Sequence, residues 1–283
     1  HVRLDAVVNV TAAATAVKSN APAQLVPRIE LVADGKNTVF SGDLNMVCRM
    51  NTAGGLNQSS QLSPPSGVAV ASYTVGAFGT IHLQSADTAR PKDTNFRTAG
   101  LQLWQARFSV GQAGDLFNGG TVALTSGTIT LSVDECVELP DAAGGYSMPS
   151  FMKRVSTQSI AFAGAQSNYD VRLPAGNLIK GVHVYTENAT TGAAVNAITA
   201  FKLGAGLDVR VALSGDQNRY LQLARYAGLI TGFYQHDFTA HAPGFGQVGT
   251  LSNVWDVTGS VEPKLTVDVA VACQMTVRVE ELI

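Results

Sequence analysis

The pentapeptide Ser-Gly-Asp-x-Asn occurs twice in this chain, at 41–45 and 214–218, and both copies sit in the same context. An alternating apolar run precedes each one (Thr38 to Phe40; Leu207 to Leu213). A short amphipathic segment follows and stops at Ala-Gly, Ala53-Gly54 and Ala227-Gly228. The physical reading is a strand, a tight turn and a helix of about two turns. Asp43 and Asp216 are the expected N-caps, because a carboxylate there accepts an orphan amide of the first turn. Leu44, Val47 and Cys48 fall at helical spacing, as do Tyr220, Leu221 and Ala224, the stripe that a surface helix turns toward its core. Gly54 and Gly228 suit a left-handed C-terminal stop.

The likeness extends beyond the pentapeptide. Upstream, Gln24 to Val32 aligns with Asn177 to Tyr185, with apolar residues coinciding at Leu25/Leu178, Val26/Ile179, Ile29/Val182 and Leu31/Val184. On that alignment the second copy carries an insertion, read as Thr186 to Gly206. Each half ends on strand-like alternation before a similar close, Val137-Glu138-Leu139 and Glu280-Glu281-Leu282. The same elements in the same order at two places indicate an internal duplication. The boundary is expected near residue 140, where Pro140 to Pro149 reads as a linker by composition. The expected organisation is therefore 1–140, a linker at 141–150, and 151–283. At 283 residues, each half is long enough to bury its own core.

Between the punctuating glycines and prolines the chain reads as short strands. Val7 to Val17 fits a strand or an arm, and Leu25 to Val32 a strand. Asp34-Gly35 is a hairpin signal, since both residues tolerate positive φ, and Thr38 to Phe40 returns. Val68 to Val75, Thr80 to Leu83, Leu101 to Val110, Thr121 to Leu124 and Gly127 to Val133 follow. In the second half come Gln158 to Phe162, Tyr169 to Leu173, Leu178 to Tyr185, Ile198 to Leu203, Leu207 to Leu213, Ile230 to His241, Val254 to Val257, Leu265 to Cys273 and Met275 to Val279. Ile129, Leu131 and Val133 alternate cleanly, as do Leu265, Val267, Val269 and Val271. About eight short strands per half with one short helix indicate an all-β fold. The expectation is two tandem eight-stranded antiparallel jelly rolls, each with a flanking helix.

Charge sharpens the reading. Only 14% of residues are charged and the formal net charge is −2, with Lys and Arg scattered. No electrostatic footprint for nucleic acid is present, so direct nucleic-acid binding is not expected. A charge density this low suits a surface largely engaged in contacts. Cys48, Cys136 and Cys273 are widely spaced and odd in number, which reads as buried thiols of a reducing compartment. No apolar run is long enough to span a bilayer.

In the second half, Tyr169-Asp170-Val171-Arg172-Leu173-Pro174-Ala175-Gly176 leads into Val182 to Tyr185. Val209 to Leu213, Gly215-Asp216 and a helix ending Tyr226-Ala227-Gly228 follow. With the duplication, this order resembles the double jelly-roll major capsid proteins of the adenovirus-hexon lineage, most closely those of corticovirus-type internal-membrane bacteriophages. The loops are too short for the tall towers of larger members. The resemblance implies a structural protein of an icosahedral virion, made in the host cytoplasm. It implies a homotrimer whose six barrels form a pseudo-hexagonal capsomer, with neighbouring capsomers, minor capsid and vertex proteins and an internal viral membrane as partners. The stretch from His1 to about Asn20 would be an inward arm, and Gln58 to Asp93 and Thr186 to Gly206 outer or intercapsomer loops.

Other chemistries have little purchase. His236 and His241, five apart near Asp237 and Asp256, point to opposite faces of a strand, which weakens them as metal ligands. His82 and His183 are lone residues on strands, expected half-buried or at an interface. Asp134-Glu135 and Glu280-Glu281 could collect calcium, but read better as solvated strand ends. The Gly-rich segments 111–120 and 244–249 lack the Lys-Ser/Thr of a phosphate loop, and no G-x-S-x-G occurs. Sequons at Asn9, Asn57 and Asn188 read as chance matches. Trp104, Trp255 and Tyr234 are the candidates for a sugar-binding face, although one aromatic per barrel reads as core. No catalytic, cofactor-binding or metal-ligating residue is expected. The other readings are a secreted two-domain carbohydrate-binding or adhesive jelly-roll protein, and an amidase or lyase on a tandem sandwich.

Overall fold

The computed structural model describes residues 2–13, 16–53, 71–84, 94–118, 121–135, 151–226, 229–239 and 253–283. The first half contains β1 (Val2–Ala13), β2 (Ala16–Val17), β3 (Arg28–Ala33), β4 (Asn37–Gly42), α1 (Leu44–Ala53), β5 (Ala71–Ile81), β6 (Trp104–Ser109), α2 (Ala113–Leu116), β7 (Phe117–Asn118) and β8 (Thr121–Val133). The second contains β9 (Lys153–Phe162), β10 (Gln166–Arg172), β11 (Leu178–Glu187), β12 (Ile198–Ala205), β13 (Asp208–Ser214), α3 (Gly215–Tyr226), β14 (Phe233–Asp237), β15 (Trp255–Asp256), β16 (Pro263–Val269) and β17 (Cys273–Leu282). The proposed linker, the loop at Asn57 to Gly67, Cys136 and His241 lie outside the described residues.

In the second half two antiparallel layers face each other, β14–β11–β17–β9 and β10–β16–β12–β13. The first half repeats the order with β5–β1–β8 and β4–β3–β6. Strand order therefore pairs β1 with β11, β3 with β12, β4 with β13, β5 with β14, β6 with β16 and β8 with β17. This corrects the upstream sequence alignment, which matched Gln24–Val32 with Asn177–Tyr185. The hairpin partner of the strand before each Ser-Gly-Asp is β3 in one half and β12 in the other, so Thr186 to Gly206 is not an insertion but includes β12. Apolar periodicity alone cannot distinguish neighbouring strands of equal period. No counterpart of β9 or β10 is found among the described residues of the first half.

Local chemistry explains the elements. In β16, Leu265, Val267 and Val269 are buried while Lys264, Thr266 and Asp268 alternate outward. Val271 falls beyond the strand and is exposed. Asp34 and Gly35 take φ of 50° and 74°, the left-handed pair that the β3–β4 hairpin requires. The two strands expected at Val68–Val75 and Thr80–Leu83 meet in one long β5, Ala71–Ile81, the residues before Ala71 lying outside the described ones, and Thr121–Leu124 and Gly127–Val133 belong to one β8. Gly79 keeps β5 close to α1, since a Cβ there would lie 2.8 Å from a Val47 methyl. The N-terminal stretch is not an arm. β1 pairs with β5 on one side and β8 on the other over almost its whole length. Gln58–Asp93 likewise contains β5 and is not simply a loop.

Among the described residues, buried apolar side chains collect in three clusters. One lies in the first half around Leu25, Ile29, Leu31, Phe40, Leu44 and Val47. One lies in the second around Val182, Phe201, Leu203, Tyr234, Leu265 and Val277. The third joins Met46 and Ala53 of α1 to Tyr185 of β11 and Phe233 of β14. Cys48 and Cys273 are buried free thiols.

Candidate functional site

The third cluster marks where the halves meet, and strand alternation explains its composition. On β11 and β17, Val182, Val184, Val277 and Val279 point into the second half's own core. The intervening His183, Tyr185, Arg278 and Glu280 point the other way, where an isolated sheet would meet water. They are buried as well, to 5% exposure or less. The cover is the first half: Phe40 lies opposite Val155 in a parallel β4–β9 bridge, and α1 lies against Tyr185 and Phe233. The Arg278 guanidinium stands 5.7 Å from the Phe40 ring centre and that of Arg49 4.9 Å from the Tyr185 ring, both cation–π range.

Charges taken out of water must be paired, and here they are. Glu280 receives Arg278 at 2.7 Å and both Lys153 and Lys180 at 3.4 Å. Lys180 also donates to Asp237 at 2.9 Å, whose other oxygen accepts from the Thr239 hydroxyl and amide. Burial alone would raise the Glu280 and Asp237 carboxyls, but the surrounding cations hold both well below the usual carboxylate range. Burial lowers His183 to about 4, so this imidazole is neutral at pH 7. Beside Glu280, the fully buried Glu281 takes a two-pronged bond from Arg154 at 2.8 and 3.0 Å and a third from Asn177 at 2.8 Å. Glu280-Glu281 are thus not solvated strand ends, because the closing strand β17 is covered on both faces. Asp134-Glu135 are exposed as expected.

That network lies within the second half, and a different polar contact crosses between the halves. Glu187, at the end of β11, accepts from the Asn20 amide at one oxygen and the Asn45 amide at the other, each at 2.9 Å. Burial pushes its carboxyl up to about 7. The Ser19 amide donates to the Thr191 carbonyl at 2.8 Å, tying the same corner through the backbone.

The two helices of the repeat differ in what they face. α1 is capped by Asp43, which accepts the Met46 amide at 2.6 Å, and buries Leu44, Val47 and Cys48 as their spacing predicts. α3 starts two residues earlier in the repeat and is capped by Ser214, not Asp216. The Ser214 hydroxyl accepts the Gln217 amide at 3.1 Å and the Gln217 side chain returns to the Ser214 amide at 2.9 Å, a capping box. Its inward face is polar. Asn218 receives the Gln235 amide at 2.9 Å and donates to the Gln235 carbonyl at 3.0 Å, and Gln222 donates to the Phe233 carbonyl at 2.6 Å. Tyr220 and Leu221, expected inward, are 66% and 48% exposed. Both helices run nearer three turns than two.

The remaining candidates are scattered. Trp255 and Tyr234 are buried in the second core, and Trp104 packs against Phe96 at 4.6 Å at the edge of the first, so these rings present no sugar-binding face. His236 lies edge-on to Phe238 at 4.6 Å. Among the described residues no three His, Cys, Asp or Glu side chains converge as metal ligands. A cavity of about 440 Å³ at the β12–β13 turn is lined by Asp208, Arg210, Trp255 and Asp256, with Asp256 committed to Thr258. The sites that the fold invests in are contacts. Lys153, Lys180 and Arg278 of the Glu280 cluster, and Glu187 of the contact to Asn20 and Asn45, carry no motif. The available signal was a strand whose polar positions include paired acids, Glu280-Glu281.

No family model and no curated protein matches the sequence. Solved structures do match. The STIV MCP is 17% identical with a TM-score of 0.74, covering 100% of this chain and 87% of that one. The major capsid protein of Bacteriophage PM2 is 14% identical, TM-score 0.56, covering 99% and 86%. A chain of the PBCV-1 virus capsid is 12% identical, TM-score 0.59, covering 98% and 86%. The likeness is not specific to corticovirus-type bacteriophages, since the archaeal STIV chain superposes better than the PM2 chain. The chain has the double jelly-roll fold of viral major capsid proteins.

Proposed function

We propose that this chain is the major capsid protein of an icosahedral virus, a structural subunit with no catalytic role. The observation that carries the reading is that the likeness to capsid chains runs from end to end of this chain. The buried contact between halves, apolar around Met46 and Tyr185 and hydrogen-bonded at Glu187, supports it, because a wall-building subunit needs its two units locked as one tile. On this reading 1–140 and 151–283 are two eight-stranded jelly rolls joined by a linker at 141–150. Three chains place six similar barrels around a threefold axis, forming a pseudo-hexagonal capsomer that meets its neighbours, minor capsid and vertex proteins, and an internal membrane in a bacterial virus. Low charge then reflects large side walls buried on assembly.

Light scattering on the purified protein tests this. The expected result is a species of about three times 29.6 kDa, or larger assemblies that dissociate to it. A monomer at both low and high salt would overturn the trimer.

A further inference from the structure

Gly181 of β11 is paired with Asp237 of β14 on one side and with Glu280 of β17 on the other. The register against β17 slips here, between Ile179 and Gly181, which makes Lys180 the extra residue of a bulge. With no side chain on Gly181, the Lys180 amine reaches both flanking carboxylates. It stands 2.9 Å from Asp237 Oδ2 and 3.4 Å from Glu280 Oε2. All three residues are 4% exposed or less. The other Asp237 oxygen, Oδ1, accepts the Thr239 amide at 2.8 Å and the Thr239 hydroxyl at 2.7 Å. Glu280 keeps two further cations, Arg278 at 2.7 Å and Lys153 at 3.4 Å. An ion pair does not require this much. A primary amine touches a carboxyl group whose second oxygen is held by two donors, and a second carboxylate is placed to carry protons. In water an ammonium and a carboxylate do not condense, because both are charged and solvated. Burial disfavours the charged forms, and a fixed contact removes the cost of encounter.

We propose that Lys180 and Asp237 condense to an isopeptide bond, a covalent cross-link between β11 and β14. One ammonium proton passes within the pair to Oδ2, leaving an amine and a carboxylic acid. The amine lone pair attacks Cγ and forms the C–N bond, and the negative charge that develops on Oδ1 falls on the two Thr239 donors. Nitrogen then gives a second proton to Glu280, which delivers it to Oδ2. The Cγ–Oδ2 bond breaks, Oδ2 departs as water, and Nζ keeps its last proton in the amide. An ammonium and a carboxylate thus become one amide and one water, with no oxidant or co-reactant. The change suits the surroundings, since it removes two buried charges and leaves Glu280 paired with Arg278 and Lys153. The reaction happens once per chain and turns nothing over, so it is compatible with a structural subunit and does not rest on that reading.

Intact mass spectrometry of the purified, folded chain tests the bond. The expected mass is that of the sequence less one water, and digestion should yield a branched peptide joining the segment of Lys180 to that of Asp237. Lys180→Met should keep its full sequence mass. Glu280→Gln, shown to be folded by circular dichroism, should cross-link about 100-fold more slowly when timed from synthesis in a cell-free reaction, the low end for a missing proton carrier. A full mass in the unaltered protein after prolonged incubation overturns the proposal and leaves Lys180 and Asp237 as an ion pair. A lost water that fragmentation places elsewhere, as in a cyclic imide at a single aspartate, overturns it equally. Both of these outcomes are read on the unaltered protein, so a variant that fails to fold does not affect them. A folded Glu280→Gln protein that cross-links at the unaltered rate overturns the proton route through Glu280.

Discussion

A carboxyl group that shares its two oxygens between asparagines of the opposite half is a titratable joint. Glu187 has its pKa raised from the usual 4.5 up to about 7, chiefly by burial, with Asp43 pushing the same way and Arg49 opposing. A raised folded pKa means that the native state holds the proton more tightly than the unfolded chain does. The stabilisation is complete below about pH 4.5 and is lost as pH rises through about 7. Glu187→Gln should therefore reduce the fall in stability over that window, leaving the contribution of Asp43, whose carboxyl burial also raises. Denaturant midpoints from pH 4 to 8 would check this, and an unchanged slope would dismiss the joint. The substitution is accommodated if one asparagine turns its amide over, because the Oδ1 atoms of Asn20 and Asn45 have no hydrogen-bond partner. At the same scale, Gly215 cannot carry a side chain: a Cβ would lie 2.0 Å from the Ile198 carbonyl oxygen. Gly215→Ala should cost about 3 kcal/mol, the upper end for overpacking. Gly114→Ala, with open space around it, should stay within about 0.5 kcal/mol in the same urea titration.

The helices show how far a repeat can be read from sequence. Their existence, their place after a strand, and the inward stripe of α1 were legible, because N-cap chemistry and helical spacing are local. The face of α3 was not. Its apolar spacing points outward, since Asn218 and Gln222 satisfy the backbone of β14, a strand that comes later in the chain. An amide that replaces a missing neighbour strand has no signature in its own segment. Asn218→Ala should leave the Gln235 amide and carbonyl unpaired and lower stability by about 2 kcal/mol, measurable by urea unfolding. The cap correction is testable in the same way. Ser214→Ala should lose about 1 kcal/mol and Asp216→Ala little, whereas an equal loss in both would restore Asp216 as the cap. Strand positions were legible wherever one face is solvated, as in β16. They failed to separate β11 from β12 as the counterpart of β3, because period-two alternation does not tell a strand of one layer from a strand of the other.

At the scale of the whole chain, the duplication was readable and the contact between its copies was not. Glu280-Glu281 read as solvated strand ends and His183 as half-buried or at an interface, and only the arrival of the first half buries that face of β11 and β17. That burial makes the two cores interdependent. The first half brings Met46, Phe40 and Asn45 to the contact, and the second brings Tyr185, Phe233, Arg278 and Glu187. If that contact couples the halves, they should unfold together. The two tryptophans report on them separately: Trp104 beside Phe96 on the first core, and Trp255 buried beside Phe238 in the second. With Trp104→Phe and Trp255→Phe each leaving a single reporter, the fluorescence melts should coincide while the contact is intact. Met46→Glu places a charge in the cluster between the halves without touching either reporter's surroundings. It should separate the two midpoints, because a buried unpaired carboxylate costs several kcal/mol at the contact and nothing inside either core. Coincident melts in the Met46→Glu background would mean that the halves are coupled elsewhere, through the β4–β9 bridge or the hydrogen bonds of Glu187 to Asn20 and Asn45.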